Sequence, residues 1–286
     1  MHDPSNSSTS VSLQSIYFPT IITKMTQNKP LIVIVPGGFC SPDIYEDVAN
    51  ILREDGFTAK VIRLTTCGNV PIENPTHDEC KALADKGMLD DVKEIHDNIA
   101  KELDEGSEVV LFGHSYGSLV GLLAIEGYTL EERKAKGLAG GIKGYAAVAG
   151  FAFTVRDRNI YGTTEQGPVM PNHSHETGGL VHLHDTFKAS FYSDLSTSEQ
   201  DEAWKKVLGS QSRKSFDHLA GFINSDVKIP TTYVKCENDQ VLPAAIQANI
   251  IQAGGFNKVE HLLSGHFPFL SMPKETAQLF ERIAMA

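Results

Sequence analysis

Gly113-His114-Ser115-Tyr116-Gly117 is the stretch of this chain whose residue types and spacing speak most directly of chemistry. A serine bracketed by glycines suits a sharp turn from strand to helix, where its Oγ stands clear of the backbone and the glycines relieve the crowding. The bare pattern is weak, but its setting is specific. The apolar run Val109-Val110-Leu111-Phe112 leads into it and an apolar, helix-forming segment, 118–125, leads out. A serine hydroxyl is a poor nucleophile until a base takes its proton, and the base needs a third group to orient it. Two later loops supply such groups, each just after a predicted strand. Cys236-Glu237-Asn238-Asp239 follows the strand at 231–234, and Ser264-Gly265-His266-Phe267-Pro268 follows the strand at 258–262. The reading is Ser115 as nucleophile, His266 as base and Asp239 as orienting acid, in the chain order serine, acid, histidine.

Alternatives exist for each role. Glu237, two residues from Asp239, could be the acid, and Asp157 is a remoter candidate. Of the 11 histidines, only His266 lies in a glycine-bracketed loop directly after the last strand. His261 sits on that strand and reads as structural, and His114 as a filler beside the nucleophile. The group His173, His175, His182 and His184 invites a metal reading, but no carboxylate or cysteine stands at a convincing ligand spacing. These are expected to be polar loop histidines. Acyl transfer also requires donors for the developing oxyanion. The backbone N–H of Tyr116, just after the nucleophile, is one. Gly38, in the Pro36-Gly37-Gly38-Phe39 loop after the first strong strand, is the other.

These groups need a frame, and the chain alternates strand and helix from Leu31 onward. Leu31-Ile32-Val33-Ile34-Val35 reads as a central parallel strand buried on both faces. Ser41-Pro42 starts a helix carrying Ile44, Val48, Ile51 and Leu52, which Gly56 ends. A strand at 59–64 follows, then a long polar loop over 65–86. Leu89, Val92, Ile95, Ile99 and Leu103 mark an amphipathic helix closed by Gly106. Further strands are expected at 108–112, 145–148, 231–234 and 258–262, and a last helix carries Leu279, Phe280 and Ile283. The alternation fails between Gly150 and Val227, where Phe151, Phe153, Phe187, Phe191, Tyr192, Trp204, Phe216 and Phe222 gather. That segment, 151–227, is expected to be a cap inserted into a core made of 29–150 and 228–286. An aromatic-rich cap predicts a largely apolar pocket.

The chain has 286 residues and a formal net charge of -11. An acidic chain is a poor candidate for nucleic acid or anionic membrane surfaces, which need a basic patch. No apolar stretch approaches the roughly 18 residues of a membrane span. Residues 1–28 read as a flexible tail with no secretory pattern, within which Met25 is a second candidate start, so a cytoplasmic location is expected. Cys40, Cys67, Cys80 and Cys236 form no zinc pattern. Cys67 and Cys80 share a loop and could bridge in an oxidising compartment, but four reduced thiols are the expectation.

Val33-Ile34-Val35-Pro36-Gly37, His114-Ser115-Tyr116-Gly117, Tyr233 with Cys236-Glu237-Asn238-Asp239-Gln240, and Gly265-His266-Phe267-Pro268-Phe269-Leu270-Ser271 together carry a resemblance. From about Lys29 to its end the chain resembles the α/β-hydrolase fold family. Within it, the chain is similar to fungal and bacterial esterases related to plant methyl esterases and hydroxynitrile lyases. The resemblance implies a mostly parallel, eight-stranded sheet flanked by helices, a helical cap, a Ser-Asp-His triad and no cofactor or metal. Phe39 and Phe267, beside the oxyanion loop and the base, are candidate substrate contacts. The family's usual His-Gly after the first strand is Pro36-Gly37 here, and proline can restrict that loop through φ.

Three functions follow. The first is hydrolysis of a small-molecule carboxylic ester or lactone through an acyl-enzyme. The second is lyase, cyclase or carbon–carbon bond chemistry on the same triad. Hydroxynitrile lyases carry threonine at the place of Gly37 and lysine at the place of Phe267, so both positions favour hydrolysis. The third, a binding protein with a dead site, fits poorly with three intact groups in order. A monomer or homodimer acting on a small molecule is expected.

Overall fold

The computed structural model describes Met1 and residues 29–286; the expected tail and the alternative start at Met25 lie outside the described residues. Ten strands follow in chain order: β1 (Leu31–Val35), β2 (Ala59–Val61), β3 (Cys67–Gly68), β4 (Glu108–His114), β5 (Gly141–Val148), β6 (Ser174–Thr177), β7 (Leu180–Leu183), β8 (Ser210–Ser212), β9 (Thr231–Cys236) and β10 (Lys258–Leu262). Six of them form one sheet in the order β10-β9-β5-β4-β1-β2, every neighbour parallel.

Parallel strands must be covered on both faces, and the residue pattern of β1 shows this. Leu31, Val33 and Val35 join one apolar cluster, with Ile95, Ile99 and Leu119 from the helices Met88–Asp104 and Tyr116–Leu123. Ile32 and Ile34 join the other, with Val48, Leu52, Leu279 and Phe280 from the helices Glu46–Glu54 and Pro273–Met285. The expected eight strands are six among the described residues. β2 and β10 are the sheet's edges, and β3, next in the chain after β2, pairs antiparallel with β8 instead.

β3, β8, β7 and β6 form a second, antiparallel sheet. Within 151–227 the chain thus carries three strands as well as the helices Lys188–Phe191 and Thr197–Trp204, more mixed than a purely helical insertion. The 65–86 segment, expected to be loop, holds β3 and the helix Asp78–Ala84. The amphipathic helix also turns slightly from its expected face. Met88, Val92, Ile95, Ile99 and Leu103 are buried, whereas Leu89 is exposed, because the 3.6-residue period puts Met88 rather than Leu89 above Val92. All four cysteines are free and buried, so Cys67 and Cys80 do not bridge. No helix among the described residues is long and apolar enough to cross a membrane.

Candidate active site

The sheet order decides where a site can form. After β1 the chain crosses to β2 on one side, and after β4 it crosses to β5 on the other. Ligands bind outside the carboxyl ends of strands at such a switch point. Val35 of β1 is in register with Gly113 of β4, so the Pro36-Gly37-Gly38 loop and Ser115 leave the sheet side by side. A Cβ on Gly37 would come within 3.3 Å of Ser115 Cβ.

Ser115 sits in the turn between β4 and the helix Tyr116–Leu123 with φ 50° and ψ −122°, a conformation that an L-residue adopts only under constraint. Its N–H donates to the Val148 carbonyl of β5 at 3.1 Å, and its own carbonyl is 2.6 Å from Ser118 Oγ. The flanking glycines are there because nothing larger fits. A Cβ on Gly113 would lie 2.5 Å from the Gly117 carbonyl oxygen, and one on Gly117 would lie 2.2 Å from the Pro36 carbonyl oxygen.

His266 and Asp239 come together across the ends of β10 and β9. His266 Nδ1 is 2.7 Å from Asp239 Oδ2, and both side chains are fully buried. The other carboxylate oxygen, Oδ1, accepts from the N–H groups of Val241 at 2.7 Å and Leu242 at 2.9 Å. Two fixed backbone donors on one oxygen leave the second oxygen for the imidazole. His266 Nδ1 then carries the proton, and Nε2 is the free acceptor.

The other candidates go elsewhere. Glu237 is ion-paired with Lys235 at 2.7 Å and hydrogen-bonded to the exposed His261 at 2.6 Å, and these partners hold its carboxyl below the ordinary range. Asp157 is exposed, with its N–H on the Ala220 carbonyl. His173, His175, His182 and His184 lie on or beside the β6–β7 hairpin, where His175 Nδ1 is 2.8 Å from His184 Nε2. No group of three or more potential metal ligands forms among the described residues.

Neither the Gly38 nor the Tyr116 N–H has a protein acceptor among the described residues. Phe39 and Phe267 are both buried. Phe39, at φ 61°, packs on Phe216 with ring centroids 6.2 Å apart, and Phe267 packs against His114, Phe191 and Tyr192. Phe191, from the 151–227 segment, stacks on the His266 ring at 6.0 Å.

Several supporting residues escaped the sequence reading. His114 links the loops. The Gly37 N–H donates to Tyr45 Oη at 2.8 Å, Tyr45 O–H donates to His114 Nδ1 at 2.7 Å, and His114 Nε2–H donates to the His266 carbonyl at 2.9 Å. Each group has one way to serve, so the chain of bonds fixes His114 as a neutral ring, and burial holds its pKa well below the usual value. This relay ties the loop after β1 to the loop after β10. Tyr45 lies on the helical side of the Ser41-Pro42 start, where its type gave no signal.

Asp91 is the second omission. It is buried in the helix Met88–Asp104, and burial raises its pKa. It accepts from Thr65 N–H and Oγ1, Thr66 N–H and Oγ1, and Tyr116 Oη, at 2.6–3.1 Å. Its place four residues before Ile95, on the inward stripe, was the available signal. Segment 151–227 also braces both loops directly. Leu208 N–H donates to the Phe39 carbonyl at 2.7 Å, and Gly265 N–H donates to Asp194 Oδ2 at 2.5 Å.

Residues 32–279 match the family model described as the alpha/beta hydrolase family. The chain belongs to the alpha/beta hydrolase family. Among its relatives, this hydrolase is 28% identical over 269 residues to "Probable hydrolase R7" of Phoma sp., covering 90% of this chain and 98% of the relative. It is 25% identical over 264 residues to alpha/beta hydrolase nvfD of Aspergillus novofumigatus, covering 90% of this chain and 97% of the relative. Among solved structures, polyneuridine aldehyde esterase superposes with a TM-score of 0.68 at 19% identity, covering 90% of this chain and 99% of the other. A pyrethroid hydrolase from Sphingobium faniae superposes with a TM-score of 0.66 at 18% identity, covering 90% and 98%. At these identities the solved structures speak for the fold alone.

Proposed function

We propose that this hydrolase cleaves a carboxylic ester or lactone of a small molecule through an acyl-enzyme on Ser115. The observation that carries the reading is the buried His266–Asp239 hydrogen bond, which leaves His266 Nε2 free to accept, while Ser115 is held in its strained turn at the switch point. In this reading His266 takes the Ser115 proton as Oγ attacks the carbonyl carbon. The oxyanion gathers on the N–H groups of Gly38 and Tyr116, and His266 protonates the departing alkoxide. Water, deprotonated by the same His266, then releases the acid. Asp239 stabilises the imidazolium without taking the proton itself. Segment 151–227 acts as a cap over the strand ends. The chemistry needs no cofactor, and the hydrolase and esterase names among the relatives and neighbours accord with it.

A fluorophosphonate probe with mass-spectrometric mapping, run beside a p-nitrophenyl ester series, tests the proposal. The expected result is one adduct on Ser115 with ester turnover, both lost in a folded Ser115→Ala variant. A folded Ser115→Ala protein with full activity removes the mechanism, and an adduct without ester turnover would point to lyase or cyclase chemistry on the same serine.

A further inference from the structure

Gln211 lies in the middle of β8, the strand that pairs with β3 on one side and β7 on the other, and its side chain is fully buried. One end of its amide is satisfied. Nε2 donates to Ser215 Oγ at 3.0 Å, and Ser215 Oγ donates its single hydrogen to the Ser212 carbonyl at 2.7 Å. That second bond uses the only hydrogen of the Ser215 hydroxyl. While that bond stands, Ser215 accepts from Gln211, so the NH2 group faces Ser215 and Oε1 faces the other way.

Oε1 has no protein donor among the described residues, although it is buried. It faces Gly38, on which a Cβ would lie only 2.5 Å from Oε1. A buried acceptor without a donor is costly, and such groups in native structures call for an explanation. The position is also rigid. The Leu208 N–H bond to the Phe39 carbonyl and the Ser41 N–H bond to the Lys206 carbonyl, at 2.7 and 3.2 Å, pin the chain just before Gln211 to the loop that carries Gly38. Phe216 then packs on both Phe39 and Tyr116. A fixed acceptor therefore stands against one of the two proposed oxyanion donors.

We propose that Gln211 is a specificity-determining residue whose Oε1 accepts a hydrogen bond from a hydroxyl that the substrate carries close to its scissile carbonyl. The substrate class narrows from esters and lactones at large to hydroxy-esters and hydroxy-lactones. This rests on the hydrolase reading above. A site built to bond a substrate hydroxyl discriminates strongly against the analogue without it, because its own buried polar group is then left unpaired.

The test compares ethyl butyrate, ethyl 2-hydroxybutyrate and ethyl 3-hydroxybutyrate as substrates for the wild type, Gln211→Met and Gln211→Glu. Met keeps the length but has no strong acceptor, whereas Glu keeps the acceptor. The wild type should favour one hydroxy-ester over ethyl butyrate by about tenfold or more in kcat/KM. Gln211→Met should lose most of that ratio, and Gln211→Glu should keep it even if all its rates fall. Comparing ratios between proteins cancels the esters' own reactivity. Cleavage of all three esters with a ratio unchanged in Gln211→Met, or with no hydroxyl preference in the wild type, overturns the inference and leaves the hydrolase reading standing. If no ester is cleaved, the hydrolase reading is what fails. Calorimetric binding of 2- and 3-hydroxybutyrate against butyrate then decides Gln211: tighter hydroxy-acid binding that Gln211→Met abolishes supports it, and no difference overturns it.

Discussion

Asp239→Asn isolates the proposed orienting acid with almost no change in shape. In the native site, Asp239 Oδ1 holds two backbone N–H groups and Oδ2 holds His266 Nδ1–H. Asparagine has one oxygen and one NH2. If its oxygen stays with the Val241 and Leu242 N–H groups, the NH2 faces His266 Nδ1, which must then accept. The His266 proton moves to Nε2, and the ring can no longer take a proton from Ser115. If the amide turns over instead, its NH2 opposes two backbone donors, and both buried N–H groups lose their acceptor at about 1–3 kcal/mol each. Either way the imidazolium loses its buried counter-charge. We expect kcat to fall by ~10³–10⁴, about 4–5.5 kcal/mol of barrier. Ester turnover by the folded variant reads this directly, with proton NMR of the His266 Nδ1–H as an independent readout. Glu237→Gln, which disturbs only the pairs with Lys235 and His261, should leave kcat within about twofold. A fall of less than tenfold in Asp239→Asn together with a crippled Glu237→Gln would mean that the acid is misassigned.

Tyr45→Phe removes the hydroxyl between Gly37 and His114 and leaves two buried groups without partners. It should lower unfolding stability by about 2–4 kcal/mol in urea melts and reduce kcat more than it raises KM. A silent variant would show that the relay does not hold the loop after β1. His114 is buried and neutral, with its folded pKa well below the unfolded value near 6.5. Its contribution to stability is therefore fully present above about pH 6.5 and is lost as pH falls, at up to ~1.4 kcal/mol per pH unit. Urea melts between pH 7 and 5 should show this slope, and His114→Gln should flatten it; an unchanged slope refutes the assignment. Burial pushes the Cys40 and Cys236 thiols up to about 12, so iodoacetamide at pH 8 should label native protein slowly and urea-unfolded protein at all four cysteines. Rapid labelling of the native protein would contradict this packing.

What the sequence determined by itself was what local chemistry encodes. The Gly113-x-Ser115-x-Gly117 turn was legible because only glycine tolerates the 2.2–2.5 Å approaches found there. The strands β1 and β10 match their expected spans because strand length and apolar run coincide in them. The nearness of Asp239 to His266 was legible because each lies in a loop just after one of two strands, and those strands pair. Tertiary structure decided what depends on distant partners. The choice of Asp239 over Glu237 follows from which carboxylate meets His266 and which meets Lys235, a matter of side-chain direction two residues apart. β3 was lost among polar residues because its only strand partner among the described residues, β8, lies more than a hundred residues later. Tyr45, His114 and Gln211 carry no local mark, and Asp91 carries only its place on the inward stripe of its helix. Their roles arise where burial removes water and each polar group must find its partner in the fold.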